Sequence, residues 1–164
     1  MGNIIIRDAL KKDIAIIYAL AHAVWPETYS AILSEAQLKY MLEMIYSESS
    51  LQKQFEEGHN FLIVEENKTP VAFADYSLLK DDVYKLNKIY VLPDQQGKSI
   101  GKLLLHHVID LVKAKGAKTL LLNVNRNNKA KEFYEHLGFK VISEEDIDIG
   151  EGYFINDYIM SYKL

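Results

Sequence analysis

The chain has no cysteine, three prolines, eight glycines and one tryptophan among its 164 residues. Without cysteine there is no disulfide framework, thiolate metal site, cysteine nucleophile or redox motif, and a reducing compartment, the cytoplasm, is the expected location. With so few prolines and no Pro/Gly-rich stretch there is no linker, so residues 1–164 read as a single domain. Long apolar runs are also missing. The longest, Ile14 to Trp25, is about half of the ~20 residues a membrane span requires, so no membrane partner is expected. Nor is there a basic surplus: 19 Lys+Arg against 23 Asp+Glu gives a net charge of −4, which argues against a nucleic-acid partner. What remains is an ordinary globular balance, 49% hydrophobic and 26% charged, too apolar for a disordered chain.

The hydrophobic pattern gives the order βαα(α)βββαβαββ. Ile4-Ile5-Ile6 marks a strand within Asn3–Ala9, and Asp13 opens a helix in which Ile14, Ile17, Leu20, Ala21 and Val24 recur at the helical period. Pro26 should break that helix. Ser34 with Gln37 has the spacing of a capping box for a helix to Tyr46, and a short helix follows over Ser50–Glu57. Strands are predicted at Phe61–Glu65, Val71–Leu79 and Val83–Leu92, then a long amphipathic helix over Ser99–Lys115. Lys118–Val124 reads as a buried strand, Asn127 as the cap of a helix to Leu137, and Phe139–Ile149 with Tyr153–Tyr162 as a closing strand pair. Hairpins followed by strand–helix crossovers predict an α/β fold, a mixed sheet with helices on both faces.

The informative segment is Tyr90 to Lys102, where a strand ends, a glycine-containing loop turns and a long helix begins. Such a junction directs unpaired N–H groups and the positive end of a helix dipole at one point, which makes an anion site. Gly97 and Gly101 would let a pyrophosphate approach the backbone, and Lys98 and Lys102 add positive charge. Three residues rather than four separate the glycines, and Leu103 follows Lys102, so a nucleotide P-loop is excluded. Neither spacing nor position fits a dinucleotide fingerprint. His106 and His107 are adjacent on a helix and diverge by about 100°, so no metal is expected there.

The run Val91-x-Pro93-x-x-Gln96-Gly97-Lys98-Ser99-Ile100-Gly101-Lys102-x-Leu104 resembles the acetyl-CoA motif of the GNAT superfamily of N-acetyltransferases, Q/R-x-x-G-x-G/A. Ser99 stands where the motif has its middle glycine. Ile6-Arg7-x-Ala9-x-x-x-Asp13 resembles the family's first strand and helix, and Asn127-x-x-Ala130-x-x-Phe133-Tyr134-x-x-x-Gly138-Phe139 its later motif. The resemblance implies a sheet of about seven strands with acetyl-CoA, as co-substrate, between splayed strands 4 and 5. Ile89, Tyr90 and Val91 would then pair with the pantetheine arm, a backbone N–H near Val91 would hold the thioester carbonyl, and Gln96, Gly97, Lys98, Ser99, Ile100, Gly101 and Lys102 would carry the pyrophosphate. Asn127 would touch the cofactor, and Tyr134 would donate to the departing thiolate.

The implied reaction is transfer of an acetyl group to the primary amine of a small molecule, by direct attack. A weaker likeness, in the tail from Gly150 to Lys163 and around Trp25–Tyr29 and Leu51–Phe55, is to bacterial PaiA-type spermidine/spermine acetyltransferases. A polyamine would suit the acids Glu144, Glu145, Asp146, Asp148 and Glu151 and the 11 tyrosines. A non-catalytic CoA-binding module and an acetyltransferase of protein N-terminal amines are the alternatives. Lys85, Asn87 and Lys88 occupy the strand on which many family members place a glutamate, which leaves Asp75, Glu27 or water alone as the base. Trp25, Tyr29 and Tyr40 are read as the roof of the acceptor site. The oligomeric state is left open between monomer and homodimer.

Overall fold

The computed structural model describes residues 2–164. Its elements follow the expected order: β1 (Ile4–Asp8), α1 (Ile14–Tyr29), α2 (Glu35–Tyr46), α3 (Glu48–Glu56), β2 (Asn60–Glu66), β3 (Thr69–Lys80), β4 (Val83–Val91), α4 (Ile100–Ala114), β5 (Thr119–Asn125), α5 (Ala130–His136), β6 (Lys140–Gly150) and β7 (Tyr153–Lys163). All seven strands form one mixed sheet in the order β1-β2-β3-β4-β5-β7-β6, in which β4 and β5 are the parallel pair. This is the architecture that the resemblance implies, with helices on both faces.

Alternation along the strands builds two cores. Phe61, Ile63 and Phe73 face α1, α2 and α3, where they meet Ile17, Trp25, Met41 and Tyr46. Leu62, Val64, Ala72 and Ala74 face the other way, against Leu104, Leu105, Val108 and Val112 of α4. Each of those buried leucines and valines contributes roughly 1.5–3 kcal/mol, which is why the best periodic helix in the sequence is well anchored.

Two sequence expectations fail here. Pro26 does not end α1, which continues to Tyr29. Proline there removes only the bond to the carbonyl four residues back, and Val24, Trp25 and Tyr29 on the buried face hold the helix together around it. Asn127 is not the cap of α5 either. That helix starts at Ala130, and it is Asn128 whose Oδ1 accepts from the Ala130 N–H at 2.9 Å, while Asn127 N–H turns back to Asn125 Oδ1.

One irregularity positions the site. Asp75 pairs with Lys88 and Tyr76 with Leu86, so Asn87 is an extra residue in β4, a β-bulge. At the same place the parallel ladder stops: β4 and β5 pair from Val83–Thr119 to Leu86–Leu122 and no further. A bulge bends its strand and sharpens the local twist. Beyond it β4 diverges from β5 and a cleft opens in the middle of the sheet.

Candidate active site

The cleft has a volume of about 630 Å³ and runs from the splayed strands to the start of α4. Its walls are Asn87–Val91 of β4, Leu122–Val124 of β5, the loop and first turn at Gln95–Gly97 and Ser99–Lys102, and Phe133 and Tyr134 of α5. Ile89, Tyr90, Val91, Gln96, Gly97, Ser99, Ile100, Gly101, Lys102 and Tyr134 thus share one cavity. Lys98 does not. Its Nζ bonds Gln95 Oε1 at 2.9 Å and lies 3.7 Å from Glu66, and the residue is not part of the cleft wall. Asn127 is also absent from the wall, where Asn128 and Lys129 stand instead.

The local geometry makes this wall a donor array. Gln96 Nε2 caps the Val91 carbonyl at 3.2 Å, closing the end of β4. Gly97 adopts φ +86°, the left-handed conformation that glycine takes at no steric cost. Ser99 follows with φ 63° and makes no side-chain capping bond, so the N–H groups from Gly97 to Lys102 find no acceptor among the described residues. An uncapped helix N-terminus with consecutive free donors binds an anion without any charged side chain. A Cβ on Gly101 would sit 3.6 Å from Val91 Cγ2, so the position has room for a methyl group and no more before the cleft begins to fill.

Tyr134 stands on the α5 wall against Phe133 and Phe139, with ring centroids 5.4 and 5.8 Å away. Burial pushes its phenol well above the ordinary value, and no side-chain hydrogen bond offsets it. The hydroxyl therefore keeps its proton at neutral pH and is available as a donor.

A second cavity, about 350 Å³, lies on the α1–α3 side of the sheet. It shares Tyr29, Asn87, Lys88, Tyr90 and Asn123 with the first, so the two meet where β4 leaves β5. Trp25 packs on Tyr29, Tyr46 and Tyr90, and the Tyr29 and Tyr90 hydroxyls bond each other at 2.9 Å. Leu33, Met41, Met44, Ile45 and Ile155 complete an apolar lining. Into this lining projects Asp157, 7% exposed, whose bond from Asn123 Nδ2 at 3.2 Å is its only one among the described residues. Burial holds its carboxyl above the ordinary carboxylate value, and no lysine or arginine pairs with it among the described residues.

Of the acceptor-side residues expected from the sequence, Trp25 and Tyr29 line the second cavity, while Tyr40 bonds the Ile149 carbonyl at 2.6 Å and fastens the β6–β7 hairpin to α2. The acids from Glu144 to Asp148 lie on the exposed edge strand β6 and line neither cavity, with Glu144 and Asp146 sharing Arg126. Glu27 is exposed on α1, away from both cavities. Asp75 is wholly buried and bound by Lys88 and His59, so it cannot reach a substrate directly. His59 went unnoticed in the sequence, and Asp157 entered only as part of the tail that resembles PaiA-type enzymes, with no role assigned. The pattern signal for Asp157 was an acid between the apolar residues Ile155 and Ile159 of a strand.

The comparisons agree with this geometry. The sequence model of the acetyltransferase (GNAT) family matches residues 17–139. The chain belongs to the GNAT family. It is 28% identical over 98% of its length to the spermidine N(1)-acetyltransferase of Thermoplasma acidophilum, covering 98% of that protein. It is 36% identical to the ribosomal protein bS18-alanine N-acetyltransferase of Haemophilus influenzae, over 58% of this chain and 60% of that one. The crystal structure of the Thermoplasma acidophilum PaiA N-acetyltransferase in complex with coenzyme A superposes with a TM-score of 0.83, at 28% identity and 99% coverage of both chains. As a member of the GNAT family the protein is an acetyl-CoA-dependent N-acetyltransferase. Among the described residues, no helix is long and apolar enough to cross a membrane.

Proposed function

We propose that the protein acetylates a primary amine of a small polyamine such as spermidine. The observation that carries this reading is Asp157, a buried carboxylate that forms no salt bridge among the described residues, set in an aromatic-walled cavity that meets the cofactor cleft. An ammonium group supplies the missing partner, and the faces of Trp25, Tyr29 and Tyr90 add cation–π attraction. The apolar lining from Leu33 to Ile45 suits the methylene spacers of such a molecule. The full-length likeness to a spermidine acetyltransferase supports the same substrate class.

On the cofactor side, the pyrophosphate lies on the free N–H groups between Gly97 and Lys102, and the pantetheine arm follows Ile89–Val91 as a substitute strand. The acetyl group reaches the meeting point of the two cavities. There the amine attacks the carbonyl carbon, a β4 N–H near Val91 holds the developing oxyanion, and Tyr134 donates its hydrogen to the departing sulfur.

Steady-state release of free CoA with spermidine, a peptide beginning with alanine, and a neutral-tailed primary amine tests the substrate class. Spermidine should lead in kcat/KM, and Asp157→Asn should raise its KM about 10–100-fold, the scale of one buried charge contact, while sparing that for acetyl-CoA. A preference for the peptide, or an unchanged KM in Asp157→Asn, overturns the polyamine assignment.

A further inference from the structure

The floor of the acceptor cavity holds a charged cluster that an apolar sheet face does not need. Asp75, fully buried in the middle of β3, receives Lys88 Nζ at 2.7 Å and His59 Nδ1 at 2.5 Å on one oxygen, and Asn87 Nδ2 at 3.4 Å on the other. Lys88 Nζ also donates to Gln54 Oε1 at 2.6 Å and lies over the Phe61 ring. Buried ion pairs contribute little to stability compared with apolar residues of similar size, so stability alone gives no reason for this one.

His59 differs from the other members. Asp75 as a carboxylate can only accept, so Nδ1 carries the hydrogen and Nε2 keeps a free lone pair. Its side chain is 23% exposed and lines the acceptor cavity. Among the described residues it is the one histidine that lines either cavity. It also lies 3.5 Å from the Asn87 side chain, and Asn87 borders both cavities. We infer that His59 is the general base of the reaction, taking the proton from the acceptor ammonium at Nε2 while Asp75 fixes its ring.

The chemistry requires such a group. An alkyl ammonium with a pKa near ~10.4 is deprotonated in only about one molecule in 2,500 at pH 7. The proton moves from the substrate nitrogen to Nε2, and the freed lone pair forms the C–N bond. The thioester C–S bond then breaks with its electron pair on sulfur, and a second nitrogen proton ends on that sulfur. His59 returns its proton to water, so one acetamide, one thiol and one proton result. Asp75 stabilises the imidazolium, and Lys88 gives that carboxylate a counter-charge of its own.

The titratable groups that share or face this wall are Tyr29 on α1, whose phenol burial raises, Asp75 on β3, Lys88 and Tyr90 on β4, Tyr46 at the end of α2 and Asp157 on β7; α3 supplies the neutral Gln54. Burial pushes the Tyr46 and Tyr90 phenols well above the ordinary value, Lys88 is occupied on both sides, and Asp157 is the ammonium's own counter-ion. His59 is the member left with both a free lone pair and access.

The assignment needs an acceptor amine but not a polyamine, so its test uses whichever primary amine turns over fastest. In the wild type, kcat/KM should fall on the acid side along a single-proton limb. His59→Gln should lower kcat/KM at neutral pH by about 10²–10⁴-fold without changing the KM for acetyl-CoA. Its residual rate should climb tenfold per pH unit toward the amine's own pKa, because only free amine then reacts. A variant profile parallel to the wild type at every pH would mean a merely structural role and overturns the inference. Proton and nitrogen NMR titration of the wild-type imidazole gives an answer even if the variant fails to fold. Agreement of the His59 midpoint with the acid limb supports the base, and a difference of more than about one unit overturns it. Turnover of the alanine peptide but not of spermidine sinks the substrate reading alone.

Discussion

The two cavities that meet at the bulge of β4 are built in opposite ways. The cofactor cleft is made largely of main chain: an unpaired strand end, a glycine turn and the first turn of a helix, drawn mainly from residues 87–102 and 122–134. The acceptor cavity is made of side chains contributed by α1, α2, α3, β4, β5 and β7, from Trp25 to Asp157. Main-chain donors recognise a phosphate group, which every substrate of this kind shares. Side chains recognise the one molecule that is to be acetylated. A family can keep the first wall while replacing the second residue by residue, and that is how one fold comes to serve many amines.

The sharpest way to break one half and spare the other is Gly101→Glu. Its Cβ fits, but the carboxylate enters the space of the pyrophosphate and takes the same N–H donors. CoA binding by calorimetry should vanish while the thermal midpoint changes little; unchanged CoA affinity would place the anion elsewhere. Next in size is Lys88→Met, which leaves the Asp75 charge buried beneath the acceptor cavity. It should cost about 3–5 kcal/mol in urea unfolding, the usual result of removing one partner of a buried pair. A loss below about 1 kcal/mol would show that His59 and Asn87 suffice to hold Asp75.

Tyr134→Phe probes the line where the halves join. Removing one hydroxyl should reduce kcat by roughly 10–10³-fold with CoA affinity retained, and full activity would return Tyr134 to packing against Phe133 and Phe139. Smallest is Ser99→Gly. Ser99 is a left-handed residue with a Cβ, and glycine relieves a strain of about 1 kcal/mol that the more flexible unfolded chain partly cancels. A gain of about 0–1 kcal/mol in denaturant unfolding is expected; a loss would mean that the serine side chain orders the loop.

The same contrast explains what could be read before the fold was known. The cleft was legible because its wall is contiguous: Gln96, Gly97, Gly101 and Tyr134 lie in two short stretches whose spacing reports a turn and a helix start. Lys98 was expected on that wall for its charge, yet Gln95 and Glu66 claim its ammonium. The Asn127 cap failed by one position because Asn127 and Asn128 offer the same chemistry and only the turn geometry chooses between them. The acceptor wall was opaque for a different reason. The acids that cluster in sequence, Glu144 to Asp148, spread along a solvated strand, while the acid proposed to meet the amine stands apart from them. His59 could have been found by one route: an acid amid the apolar run Val71–Leu79 demands a cation, and the antiparallel register from Lys88 to Asp75 supplies it with His59 alongside.

The sheet order also dictates when each half can exist during synthesis. β7 is made after β6 yet takes the place between β5 and β6. From Lys140 to Lys163 the ribosome needs about 1–5 s at about 5–20 residues per second, whereas a hairpin closes in about 1–10 μs. During that interval β6, with Val141 and Ile142 exposed, waits without a neighbour. The cofactor cleft, complete by α5, can close on the nascent chain before its partner cavity. Asp157 arrives with β7, so the half proposed to select the amine is assembled after the cleft.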